Sequence, residues 1–142
     1  MSLVTVRQAT NEDSVRISEL RASLRAEIFR FRGGSLLWED KHELPDMNQT
    51  MVYVADVGDY VIGFMVLALR GDLLEVFEIH VDTECRGVGA GDAMVGKAME
   101  LARDNSATAL IADALPGDRD TKNLFERSGL ISQRLQMRRE IA

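Results

Sequence analysis

Cysteine, histidine and long apolar runs are all scarce in this 142-residue chain, and each scarcity closes off a class of protein. Cys85 stands alone, which excludes an internal disulfide framework and a cysteine-built metal cluster. Only His42 and His80 are available as imidazoles, and neither has an acidic partner at a recognisable triad spacing. Cys85 therefore reads as a small turn residue rather than a nucleophile. No apolar run approaches the roughly 18 residues of a membrane span, so no membrane partner is expected. The first seven residues lack the basic region and long apolar core of a signal peptide, which makes a cytoplasmic location the expectation. Basic clusters are missing too. With 17 Lys and Arg against 23 Asp and Glu, the net charge of −6 argues against a nucleic-acid partner. The same balance tilts the chain toward cationic ligands such as amines. The length fits one domain with a real core.

What is present is concentrated in one segment. Residues 73–81 read as an apolar strand, Val81-Asp82-Thr83-Glu84-Cys85-Arg86-Gly87-Val88-Gly89-Ala90-Gly91 follows, and helical periodicity begins directly afterwards. A strand, a glycine-rich turn and a helix N-terminus together present free backbone N–H groups to an anion. Spacing then selects the anion. A dinucleotide fingerprint needs a third glycine where this chain has Asp92. A nucleoside-triphosphate loop matches from Gly91 to Lys97 but ends on Ala98, which cannot ligate magnesium; those residues also carry helix periodicity. Residues 109–113 would supply that loop's magnesium strand, so nucleotide hydrolysis stays a third reading. The remaining pattern is Arg86-x-x-Gly89-x-Gly91.

Around this segment the chain reads as β-α-α-β-β-β-α-β-α-β, a mixed α/β fold. Residues 3–7 alternate like a half-buried strand. Thr10 to Asp13 supply capping oxygens for a long amphipathic helix that should stop at Gly33-Gly34. Residues 36–44 form a second short helix or ordered loop ended by Pro45. Residues 50–56 and 60–69 make a hairpin, with Gly63 marking a bulge or a close backbone approach. Residues 108–115 are nearly continuous apolar, as in a strand buried on both faces. A helix over 120–127 and a final strand near 130–138 complete the chain.

The order of these blocks resembles the Gcn5-related N-acetyltransferase (GNAT) family over about residues 3–139. Arg86-x-x-Gly89-x-Gly91 is similar to that family's pyrophosphate arm. Residues 51–66 resemble its second and third strands, and Leu124-Phe125-Glu126-Arg127-Ser128-Gly129-Leu130 its late helix and turn. The resemblance implies a mostly antiparallel sheet, flanked by helices and splayed between the fourth and fifth strands, with the opening admitting a pantetheine arm. It implies acetyl-CoA (coenzyme A) as co-substrate and acetyl transfer to an amine of a small molecule or peptide. By the same resemblance Arg86, Gly87, Val88, Gly89, Ala90 and Gly91 hold the pyrophosphate, Ile79, His80 and Val81 pair with pantetheine like an added strand, and Phe125 lies beside the cofactor. A homodimer, formed through exposed strands, is left open.

Amine acetylation needs a base for the ammonium proton and donors for the oxyanion. Glu75 and Glu78 are the base candidates, because a carboxylate in an otherwise apolar strand demands a reason. Glu75 lies six residues before Val81, as in the histone-acetylating branch, and is preferred; His80 is a candidate for proton relay. Simple alternation puts Glu75, Phe77, Ile79 and Val81 on one face and Val76, Glu78 and His80 on the other. Two departures from the family stand out. Phe125 occupies the place of the tyrosine that relatives often use to protonate the leaving thiolate, which leaves Tyr53, Tyr60 or water for that task. Asp118 replaces a frequent asparagine. These losses keep open a second class, a weak or inactive acyl-CoA-binding sensor module. Substrate choice is expected from the region of residues 20–44, with Arg25, Glu27, Arg30, Arg32, Trp38, Glu39, Asp40 and Glu43 framing a pocket rim or merely solvating two helices.

Overall fold

The computed structural model describes residues 3–42 and 50–141. Five strands form one sheet in sequence order: β1 (Thr5–Gln8), β2 (Thr50–Val57), β3 (Tyr60–Arg70), β4 (Leu73–Val81) and β5 (Ala109–Ala112). The first three pairings are antiparallel and β4–β5 is parallel. Helices α1 (Ser14–Ile28) and α2 (Gly34–His42) pack on one face, where Leu20, Leu24 and Trp38 meet Val54, Val61 and Phe64. On the other face α3 (Ala90–Asp104) and α4 (Arg119–Arg127) bring Met94, Val95, Ala98 and Phe125 against Met65, Leu67, Leu74 and Val76. Leu74, Met65 and Met94 are fully buried, and each such side chain contributes about 1.5–3 kcal/mol of transfer free energy.

Three local features position the cleft. β4 and β5 are in register only from Leu73↔Ala109 to Val76↔Ala112, so residues 77–81 leave the fifth strand. This is the splay that the family resemblance implies. Second, the β3–β4 register jumps from Val66↔Glu78 to Leu67↔Val76, which makes Phe77 the extra residue of a β-bulge. The bulge corrects the expected facing. Val76, Ile79 and Val81 all pack toward α3, while Glu75, Glu78 and His80 share the α1–α2 face. Strict alternation failed because one unpaired residue reverses the parity of everything after it. Third, β3 passes close to the backbone of β4 at Gly63, where an added Cβ would lie 2.9 Å from the His80 carbonyl oxygen and 3.0 Å from Met94 Cε. A second register shift in β2–β3 falls beside it. Both the bulge and the close approach expected of Gly63 are present.

Elsewhere the expectations hold at the level of elements and fail at some ends. Thr10 caps the chain through Asp13, but the first turn, Asn11–Asp13, is a 3-10 turn. α1 stops at Ile28 rather than reaching Gly33, because the chain folds back on the helix end. A Cβ at Gly34 would lie 1.9 Å from the Ile28 carbonyl oxygen, and Gly33 takes φ +80°. Leu44 and Pro45, expected to close the second helix, lie outside the described residues. β5 is shorter than residues 108–115 and only half-buried, not buried on both faces. The final strand expected near 130–138 does not form. Ile131, Leu135 and Met137 are 78%, 82% and 86% exposed. Alternation there is real, but a strand needs an edge to pair with and an apolar layer to face, and this segment meets neither. Among the described residues no helix is long and apolar enough to cross a membrane.

Candidate active site

The splay opens into a cavity of about 540 Å³, a size typical of sites that bury small ligands. One wall is main chain. After β4, Asp82 accepts from the Glu84 amide and a 3-10 turn, Thr83–Cys85, leads into the glycine loop. Gly87 and Gly89 adopt φ +93° and +86°, a region that side-chain-bearing residues resist. Gly89 caps α3, and the first N–H groups of a helix have no intrahelical carbonyl to bond. A Cβ added at Gly91 would lie 3.2 Å from the Leu124 side chain, so the glycine lets α3 dock closely on α4, and Arg127 of α4 binds Asp92 at 3.2 Å. The sequence from Gly91 to Lys97 lies within α3, with Lys97 over the Tyr53 ring, so the triphosphate-loop lookalike is helix. Cys85 is half-buried against the core and lies outside the cavity lining.

The opposite wall is built of charged side chains. Glu78 is buried and accepts from Arg21 Nε of α1 at 3.0 Å. His80 is buried too; its Nε2 is hydrogen-bonded to Ser23 Oγ at 3.1 Å, and its Nδ1 stands 3.7 Å from Glu27 Oε2. Burial pushes the His80 imidazole below its ordinary value, against the pull of Glu27, so the neutral, proton-accepting form is favoured. Glu27 Oε2 also takes Arg86 Nη2 at 2.8 Å, and Arg86 reaches back toward the Val81 carbonyl. The guanidinium of the glycine loop is thus tied to the histidine of β4 through one carboxylate. Lys41 of α2 closes the wall, donating from Nζ to the Phe77 carbonyl at 2.5 Å with the ammonium over the Phe77 ring.

Of the residues expected at the site, the structure gathers Glu78, Ile79, His80, Val81, Arg86, Gly87, Gly89, Ala90, Gly91 and Phe125 around one cavity. Val88 sits in the same loop with its side chain 54% exposed. Glu75 shares the face of Glu78 and His80 but does not line the cavity, and its carboxylate is held by Arg70 at 2.9 Å. Tyr53 and Tyr60 do not line it either: Tyr53 is buried under Lys97 and Tyr60 lies beneath Arg16. Asp118 does line it, and caps α4 by accepting from the Thr121 amide and hydroxyl. Of the rim residues, Glu27 and Trp38 face the cavity, whereas Arg25 stacks on Phe29 and Arg30, Arg32, Glu39 and Asp40 are solvent-exposed. Glu43 lies outside the described residues. Arg21, Ser23 and Lys41 were missed by sequence reasoning. Their only signal was a position on a helix whose facing partner lies 36 to 57 residues away in the chain.

The family model described as the acetyltransferase (GNAT) family matches residues 17–130. The chain belongs to that family. Acetyl transfer is the chemistry this membership carries. Among curated proteins no match is found. Solved structures similar to this GNAT chain include the tetramutant of the BH1408 protein from Bacillus halodurans, with a TM-score of 0.79 and 15% identity over 96% of this chain and 99% of that one. A ribosomal-protein-alanine N-acetyltransferase from Brucella melitensis biovar Abortus 2308 gives a TM-score of 0.72 and 20% identity over 98% and 99%. AAC(6')-Iy, solved in complex with the bisubstrate analogue CoA-S-monomethyl-acetylneamine, gives 0.69 and 15% over 98% and 99%. At these identities the likeness is one of fold.

Proposed function

We propose that this GNAT protein moves an acetyl group from acetyl-CoA to a primary amine of a small molecule or peptide by direct transfer with general-base help. The observation that carries the reading is the two-walled cleft: a main-chain anion cradle on one side of the splay, and a buried carboxylate and imidazole on the other. AAC(6')-Iy, whose fold this chain shares, was solved with an analogue joining coenzyme A to an amine. The residues here fit that pair. Carboxylates outnumber cations around the cavity, which suits an ammonium-bearing acceptor. A diphosphate is then best received where N–H dipoles point, at residues 86–91, with Arg86 adding charge when Glu27 releases it.

In this reading residues 79–81, unpaired with β5, offer main-chain groups to pantetheine in the manner of an added strand. Phe125 packs beside the cofactor. The amine loses a proton to the Glu78–His80 side, its nitrogen bonds to the acetyl carbon, and the C–S bond breaks to release the thiolate. A main-chain N–H near His80–Val81 stabilises the oxyanion. Glu78 and His80 are better placed for the proton than Glu75, because they line the cavity.

A second reading, an acyl-CoA-binding module without turnover, has one specific observation in its favour. Phe125 has no proton to give, and neither tyrosine of the sheet lines the cleft. Calorimetric titration with acetyl-CoA, followed by amines in the same cell, separates the two. Micromolar binding followed by heat of turnover supports transfer, binding without turnover for any amine supports the sensor, and no binding removes both.

A further inference from the structure

The chain contains three lysines, Lys41, Lys97 and Lys122, against fourteen arginines. Lys97, over the Tyr53 ring, and the exposed Lys122 both lie outside the cavity lining, paired with Glu100 and Glu126 one turn along. Lys41 is different. It is the only one of the three that lines the cavity, and its Nζ points to the splay, donating to the carbonyl of the bulged Phe77. Phe77 is the first residue of β4 beyond the last pair with β5, at Val76↔Ala112. The Lys41 amine therefore enters the cleft from the α1–α2 side, beside Glu78 and opposite the glycine loop.

We infer that Lys41 is a self-acetylation site, its side chain serving as the acceptor amine when no other amine fills the cleft. The inference rests on the proposed use of acetyl-CoA. Nζ gives up a proton, its lone pair bonds to the acetyl carbon, and the C–S bond breaks with its electron pair on sulfur. The second proton then leaves nitrogen, so one proton neutralises the thiolate and one goes to solvent. Burial favours the neutral amine that this step needs, although Asp113, Glu75 and Glu78 pull the other way. Residence in the cleft supplies the rest, since a positioned nucleophile gains effective concentration over one in solution. Acetylation would also cancel the cation at the acceptor wall and weaken its bond to the Phe77 carbonyl.

The other two lysines make the test internally controlled. Purified full chain is incubated with acetyl-CoA and no amine, and acetyl on each lysine is followed by peptide mass spectrometry. Coenzyme A binding is measured calorimetrically on the same sample. Lys41 should be labelled at least about tenfold faster than Lys97 or Lys122. The rate per molecule should be independent of protein concentration and suppressed by excess coenzyme A. The Lys41→Arg variant should lose the fast increment. Coenzyme A binding with Lys41 labelled no faster than the other two would overturn the site while leaving the proposed function standing. Labelling that persists under saturating coenzyme A would mark it as solution chemistry and overturn it equally. No coenzyme A binding at all would remove the proposed function and the Lys41 site together.

Discussion

The two walls of the cleft are made in opposite ways. The wall proposed for the cofactor is contiguous: residues 86–91 form it from backbone, with positive φ at Gly87 and Gly89 and a helix N-terminus behind them. The wall proposed for the acceptor is assembled across the fold. Glu78 meets Arg21, His80 meets Ser23, and Arg86 meets Glu27, each pair separated by 57 or 59 residues in the chain. A wall of backbone depends on conformation and tolerates side-chain change outside its glycines. A wall of side chains depends on partners, so its function should fail without loss of cofactor binding.

That separation can be attacked directly. Gly89→Glu should abolish acetyl-CoA binding, a loss beyond about a hundredfold in affinity, because it strains a φ of +86° and puts negative charge into the anion cradle. Unchanged affinity in a folded variant, read by calorimetry, would mean that the cradle is elsewhere. Glu78→Gln and His80→Gln should leave that affinity within a few-fold and lower transfer by about 10²–10⁴, the usual worth of a positioned proton acceptor. Equal losses in binding and rate would show that the walls are one unit.

Glu75→Gln is the sharper partner to that pair. Its carboxylate is held by a half-exposed Arg70 and lies outside the cavity lining, so its rate loss should be well below that of Glu78→Gln. A loss equal to or larger than that of Glu78→Gln in kcat would restore Glu75 as the base.

The pH profile tests the acceptor wall without mutation. His80 is held below its ordinary value by burial, so between that value and its lowered one the unfolded chain binds more protons than the folded chain. Its contribution to stability therefore rises with pH through that window and is lost on acidification. With His80 as the acceptor, the acid limb of kcat/KM should fall below about 6.5, the unperturbed histidine value. A limb at or above 6.5 would assign the proton elsewhere.

The smallest effect is expected far from both walls. Leu135→Ser replaces a side chain 82% exposed and should change unfolding free energy by less than about 0.5 kcal/mol in urea titration. A larger loss would mean that this segment is covered in solution.

The same contrast explains what could be read from the residues alone. The glycine segment, β4 and the β2–β3 hairpin were legible because their signals are local: turn residues, alternation, and a strand handing over to a helix. The family resemblance rested on those blocks. The acceptor wall was not legible, since nothing near Ser23 or Lys41 announces a partner on β4. Even within β4, the facing of Glu75 and Val76 relative to residues 78–81 was misread, because a bulge is invisible to a count of two. The segment 130–138 failed for the opposite reason. Its alternation is clear, but alternation only says that a strand would have two unlike faces.

The bulge at Phe77 has a consequence for how this chain tolerates change. Downstream of it, length matters more than composition. Swapping one apolar residue for another at Ile79 or Val81 alters packing by a methyl group or two. Removing Phe77 would leave the facing of residues 78–81 as it is, but inserting one residue between Phe77 and Glu78 would turn the carboxylate and imidazole into the apolar layer beneath α3 and expose two aliphatic side chains in the cleft. Both layers would be damaged by one insertion. The strand proposed to carry the chemistry therefore has little freedom to gain a residue beyond its bulge.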